Sequence, residues 1–128
     1  MATPNQKRGK LQGLDLRADG AVPVFQFIRA LNKSYEGTVT AGNTPVIIDF
    51  RGDQGWNSLQ GWITCDGTIV TGGSTEGNII VSFSRDGITY GDKWSMRVGE
   101  NTNLMGFDIA KIKIEHTGID SEYRVFLV

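Results

Sequence analysis

The residues able to do chemistry are few and scattered. His116 is the sole histidine and Cys65 the sole cysteine, so a Ser-His-Asp or Cys-His mechanism must route through His116. That residue falls in His116-Thr117-Gly118, a turn between two strand patterns, where an imidazole serves to cap a loop. One cysteine excludes an intramolecular disulfide and a cysteine zinc cluster, and one imidazole excludes a histidine metal site. The carboxylates Asp49, Asp53, Asp66, Asp86, Asp92 and Asp108 lie at strand ends and turns, where Asp bonds the local backbone, rather than standing as a glycosidase pair. Asp49, Asp53 and Asp66 offer loop oxygens for calcium, but no twelve-residue calcium loop is present. Arg51-Gly52-Asp53 spells an integrin-binding tripeptide, common by chance, and nothing else suggests an extracellular animal ligand. Phosphate-cradling glycine motifs before a helix are missing. The expectation is a protein with no catalytic residues, no cofactor and no metal.

Binding is then the remaining business of the chain. Residues 1–35 carry six basic and two acidic side chains, +4, whereas residues 36–128 carry seven and twelve, −5. Lys7, Arg8, Lys10 and Arg17 flank Leu11, Leu14 and Leu16 in the basic leader. Three or four phosphate contacts would give only salt-dependent, sequence-blind affinity, and the acidic body would repel a duplex, so nucleic acid is not the expected partner. An extended arm that lays leucines in a partner's grooves and cations on its carboxylates fits better, ordering as it binds. Trp56, between Gly55 and Asn57, is placed as a loop aromatic able to contact a ligand. Trp62 and Trp94 sit in strand patterns and are assigned to the core.

The elements that must position these residues read as strands. Seventeen glycines against three prolines, with no Gly-X-Y period, imply many tight turns. Residues 1–20, with Pro4, Gly9, Gly13 and Gly20, read as an extended arm. A first strand is expected over Val22 to Ile28 and a second over Tyr35 to Thr40. Gly42-Asn43 turns the chain into Pro45–Phe50, and Arg51 to Gly55 reads as a polar loop. Trp62–Cys65 and Thr68–Thr71 flank Asp66-Gly67, a type I′ hairpin signal, and Gly72 to Gly77 reads as a flexible loop. Asn78–Arg85 leads through Asp86-Gly87 to Ile88–Tyr90. Trp94–Val98, Ala110–Ile114 and Tyr123–Val128 alternate apolar with polar residues. The predicted core is Val46, Ile48, Phe50, Val81, Phe83, Trp94, Met96, Ile112, Ile114, Tyr123 and Val125. About eight strands at roughly ten-residue spacing predict an all-β fold, a single antiparallel β-sandwich or jelly roll over residues 21–128 behind the arm.

Residues 1–16 hold no apolar run of secretory length, and no stretch approaches the ~20 apolar residues of a membrane span. A soluble protein made in a reducing cytoplasm is the expectation, with no membrane partner.

Ile79-Ile80-Val81-Ser82-Phe83-Ser84-Arg85-Asp86-Gly87-Ile88-Thr89-Tyr90 resembles a hairpin found in several sandwich families, among them discoidin-like carbohydrate-binding domains. Over residues 78–128, that hairpin followed by Trp94-Ser95-Met96-Arg97-Val98, Leu104–Ile114 and His116-Thr117-Gly118-Ile119-Asp120-Ser121-Glu122-Tyr123-Arg124-Val125 resembles small virion structural proteins of tailed bacteriophages. The resemblance implies a non-enzymatic, self-associating virion protein, first of all a capsid-decorating (cement) protein bound to the major capsid protein. A neck or tail component and a discoidin-like carbohydrate-binding module are the alternatives.

Overall fold

The structure is a computed structural model and describes residues 32–128. The expected arm, with Lys7, Arg8, Lys10, Leu11, Leu14, Leu16 and Arg17, lies outside the described residues, as do the expected strand at 22–28 and the boundary at residue 20.

Among the described residues ten elements follow one another: β1 (Lys33–Val39), β2 (Val46–Asp49), α1 (Phe50–Gln54), β3 (Gly61–Ile69), β4 (Thr75–Glu76), β5 (Ile79–Ser84), β6 (Trp94–Met96), β7 (Asn101–Asn103), β8 (Lys111–His116) and β9 (Ser121–Leu127). Sheet one has the order β1-β9-β3-β4, with β7 also on β3; sheet two has the order β2-β8-β5-β6. Every pairing is antiparallel. The chain is the expected all-β sandwich of two antiparallel sheets.

Period-two alternation decides which side chains meet between the sheets. Ser121, Tyr123, Val125 and Leu127 of β9 are buried while Glu122 and Arg124 are exposed. On β8, Ile112 and Ile114 are fully buried. They meet Ile63 and Cys65 of β3, Ile79 and Val81 of β5, Met96 and Leu104 in one cluster. Of the predicted core, Val46 and Phe83 are partly buried and packed against this cluster. Trp94 departs from the prediction: it is 55% exposed. Its register partner is Val81, so its parity is inward, but β6 is the outermost strand of its sheet.

Three local assignments change. Residues 51–55 are not a loop, because Phe50–Gln54 forms one helical turn, α1. Asp49 Oδ1 accepts the Gly52 amide at 2.9 Å, and Gly55, at φ 88°, closes the C-terminus through its amide to the Arg51 carbonyl, the usual pair of end signals. Asp66-Gly67 is not a hairpin turn either. β3 runs straight through it with a register shift between Cys65 and Gly67, and Gly67 at φ 69° makes a β-bulge. The hairpin sits further on, where the Val70 amide bonds the Ser74 carbonyl and the Gly73 amide the Val70 carbonyl. Residues 72–77, expected as a loop, therefore supply the short strand β4, paired with the end of β3.

The turn after β5 is held by one carboxylate. Asp86 Oδ1 accepts the Ile88 and Thr89 amides, both at 2.8 Å, and the Ser84 hydroxyl at 3.1 Å. These donors, the two amides foremost, hold its carboxyl down to about 2. The strands close more loosely than a two-residue hairpin would, through the Ser84–Tyr90 bridge.

Candidate functional site

Sheet one has an outer face, and its rows can be read from the register. Ser34, Phe126, Trp62 and Asn103 lie side by side across β1, β9, β3 and β7. The next row holds Glu36, Arg124, Thr64 and Asn101. Thr38 and Glu122 follow, level with the bulge at Asp66.

The first row is uncharged, with an aromatic pair at its centre. Trp62 and Phe126 stack with centroids 4.6 Å apart and planes at 19°, the offset parallel geometry that aromatic pairs favour. Trp62 is 49% exposed, Met105 69% and Leu59 49%. A hollow of about 260 Å³ opens here, lined by Gln60, Trp62, Asn103, Met105, Phe126 and Val128, and none of these side chains is charged. Gly61 makes the close packing of this corner possible. Its φ is 151°, and a Cβ would collide with the Phe126 carbonyl.

The other end is acidic. A second hollow of about 260 Å³ is lined by Glu36, Thr38, Asp66, Glu122 and Arg124, three carboxylates against one guanidinium. Arg124 binds Asp66 with both arms, Nε to Oδ2 at 2.8 Å and a terminal nitrogen to Oδ1 at 3.3 Å. That bond raises the Arg124 pKa further, so its charge is already matched. Phe126 and Glu122 are four residues apart on β9, about 13 Å at the rise of a strand. One face thus carries an uncharged aromatic hollow and an acidic hollow on a rigid sheet.

The residues singled out for chemistry are spent on structure. Cys65 is buried, with Sγ 3.3 Å from the Gly77 carbonyl and 3.5 Å from Ser121 Oγ; burial pushes its thiol pKa up. His116 Nε2 lies 3.0 Å from Asp120 Oδ1, and Nδ1 takes the Gly118 amide at 3.3 Å. No hydrogen bond joins the two side chains. The Arg-Gly-Asp run lies in α1: Arg51 holds Asn57 Oδ1 and the Arg85 carbonyl, each at 2.7 Å, and Asp53 accepts the Tyr35 hydroxyl at 2.6 Å. Burial first, and Asp53 second, raise the Tyr35 pKa well above its ordinary value. Asp49, Asp53 and Asp66, the calcium candidates, are thus committed to a helix cap, a tyrosine and an arginine. Among the described residues no group of three or more His, Cys, Asp or Glu gathers as a metal site.

Two tryptophans are placed differently from expectation in burial. Trp56, the loop candidate, is partly buried and packed against the core, while Trp62, assigned to the core, is on the outer face. The alternation of Ile63 and Cys65 with Trp62 carried that signal. Phe126 was legible as an outward residue from its alternation with Tyr123 and Val125.

Over the described residues these features define a sandwich of two antiparallel sheets with an exposed, uncharged aromatic hollow on the outer face of sheet one. No family model matches the sequence, and no curated protein does. The chain is similar to a solved structure of Bacillus endospore appendages, which form disulfide-linked pili. The TM-score is 0.52 at 15% identity, covering 75% of this chain and 81% of that one. At that identity the likeness speaks for the fold alone.

Proposed function

We propose that this chain is a non-enzymatic structural subunit that associates with copies of itself within a larger particle. The observation that carries this reading is the uncharged Trp62–Phe126 hollow, with exposed Met105 in its lining. Interface centres are enriched in aromatics and Met and depleted of charge, with polar groups at the rim, and contiguous exposed apolar patches mark interaction sites. The resemblance over residues 78–128 supports a tailed-bacteriophage virion as the setting, with the subunit decorating the shell built by the major capsid protein. The endospore appendages, which form pili, share the sandwich with this chain, and the likeness extends to the fold alone. Their disulfide linkage does not come across, because the one cysteine here is buried Cys65.

Sedimentation equilibrium of the purified chain from low to high micromolar concentration tests this. Concentration-dependent oligomers support it, and a monomer throughout refutes it. A second reading, a carbohydrate-binding module, draws on the same stacked rings beside Gln60 and Asn103, a surface on which a sugar can stack its C–H face and bond amides. Calorimetric titration with neutral oligosaccharides that released no heat would remove it.

A further inference from the structure

We propose that the occupant of the outer face of sheet one is the leader of a second copy of this chain, with Leu14 and Leu16 in the aromatic hollow and Arg8 and Lys10 over the acidic one. The inference rests on the assembly reading and names its partner surface.

Spacing and charge argue for this occupant. In an extended segment alternate side chains share a face, so a leader bound in extended form would present Arg8, Lys10, Gln12, Leu14 and Leu16 on one side. That side is cationic at its N-terminal end and apolar at its C-terminal end. β9 presents the complement in the same direction, Glu122 first and Phe126 four residues later. Lys10 and Leu14 are also four residues apart, so a segment running parallel to β9 brings the cation and the leucine to the two hollows together. Glu36, Asp66 and Glu122 against Arg124 leave that end with an excess of two negative charges.

Length also permits it. Sixteen residues, 17–32, separate Leu16 from the start of β1, which is about 50 Å of extended chain. A body of this size is roughly 30 Å across. That length is enough for the proposed contact with a neighbour's outer face. Cations meeting carboxylates at the surface make the junction weaken as salt rises.

Mixing full-length variants tests the proposal. One chain carries Leu14→Asp and Leu16→Asp with its outer face intact. The other carries Trp62→Ala and Met105→Asp, both at exposed positions, with its leader intact; Met105→Asp alone serves if the double variant fails to fold by circular dichroism. Each alone should associate at least tenfold more weakly than the parent chain in sedimentation velocity, as loss of an interface anchor does. An equimolar mixture should recover association but stop at two chains, because only one junction per pair is intact. Lys10→Glu should weaken assembly, and Glu122→Lys in the partner should restore it.

If the parent chain assembles and both variants assemble equally well, this inference fails while the assembly reading stands. If the variants fail alone and stay monomeric when mixed, the leader does not act between copies, and the inference fails. A parent chain that is monomeric at every concentration sinks both.

Discussion

Trp62 and Ile63 are neighbours on β3 that face opposite sides of sheet one, and truncating each to alanine should invert the ranking their sizes suggest. Ile63 is fully buried between the sheets. Ile63→Ala removes three carbons, about 2.4 kcal/mol of transfer energy, and leaves a cavity that two rigid sheets close only in part. The total should be about 3–4 kcal/mol. Trp62 is the larger residue but 49% exposed. It buries about half of a side chain offering ~200 Å², worth at most about 2.5 kcal/mol. Phe126 loses its stacking partner, but solvent fills the gap at no cavity penalty. Trp62→Ala should therefore destabilise by about 1–2 kcal/mol. Urea unfolding followed by far-UV circular dichroism, at concentrations low enough to keep the chain monomeric, gives both values if the slopes match. A Trp62→Ala loss equal to or larger than that of Ile63→Ala would show that the indole is enclosed and remove the binding face.

Further consequences concern the turns and the titrating groups. Gly61→Ala should destabilise by about 3 kcal/mol or more, seen as a collapse of the thermal transition, because the new Cβ meets the Phe126 carbonyl. Asp86, held at about 2 in the folded chain against ~3.9 unfolded, contributes stability that is full above pH 4 and lost as pH falls through 2. The melting-temperature gap between the parent chain and Asp86→Asn should accordingly shrink between pH 4 and pH 2, and a gap that held constant would count against the carboxylate's role. Cys65, buried with a raised thiol pKa, should react with a disulfide reagent only on unfolding. Cys65→Ser and His116→Ala should leave self-association unchanged, and loss of assembly in either would contradict the structural roles given to them.

The sheet was legible where alternation runs uninterrupted. Ile112, Ile114, Tyr123 and Val125 read as inward from spacing alone, and they are buried. Turn dipeptides were less decisive because they specify φ rather than topology. Gly67 supplies a positive φ at a bulge inside β3 as readily as in a hairpin, and only the pairing partner on β9 separates the two. α1 was hidden for a related reason: its five residues include Gly52, and its evidence is the cap pair Asp49 and Gly55 rather than any helical period. Tryptophans were the hardest to place. A strand pattern says which side of a sheet Trp94 faces, but not whether the opposite sheet extends far enough to cover it.

Strand β9 shows why the outer face of sheet one and the core cannot be altered independently. Its even positions, Glu122, Arg124 and Phe126, build the outer face, and its odd positions, Ser121, Tyr123, Val125 and Leu127, fill the interior. A one-residue slip against β1 or β3 would bury two charged side chains and expose the core set, so the register is fixed by the interior. The bulge at Asp66 then has a consequence for the site. By inserting one extra residue opposite β9, it places Asp66 within reach of Arg124 at the acidic end, while Trp62 stays level with Phe126 at the other end. Removing the bulge by deleting Asp66 would keep the aromatic row and disturb the acidic one, separating the two halves of the proposed docking surface within a single strand.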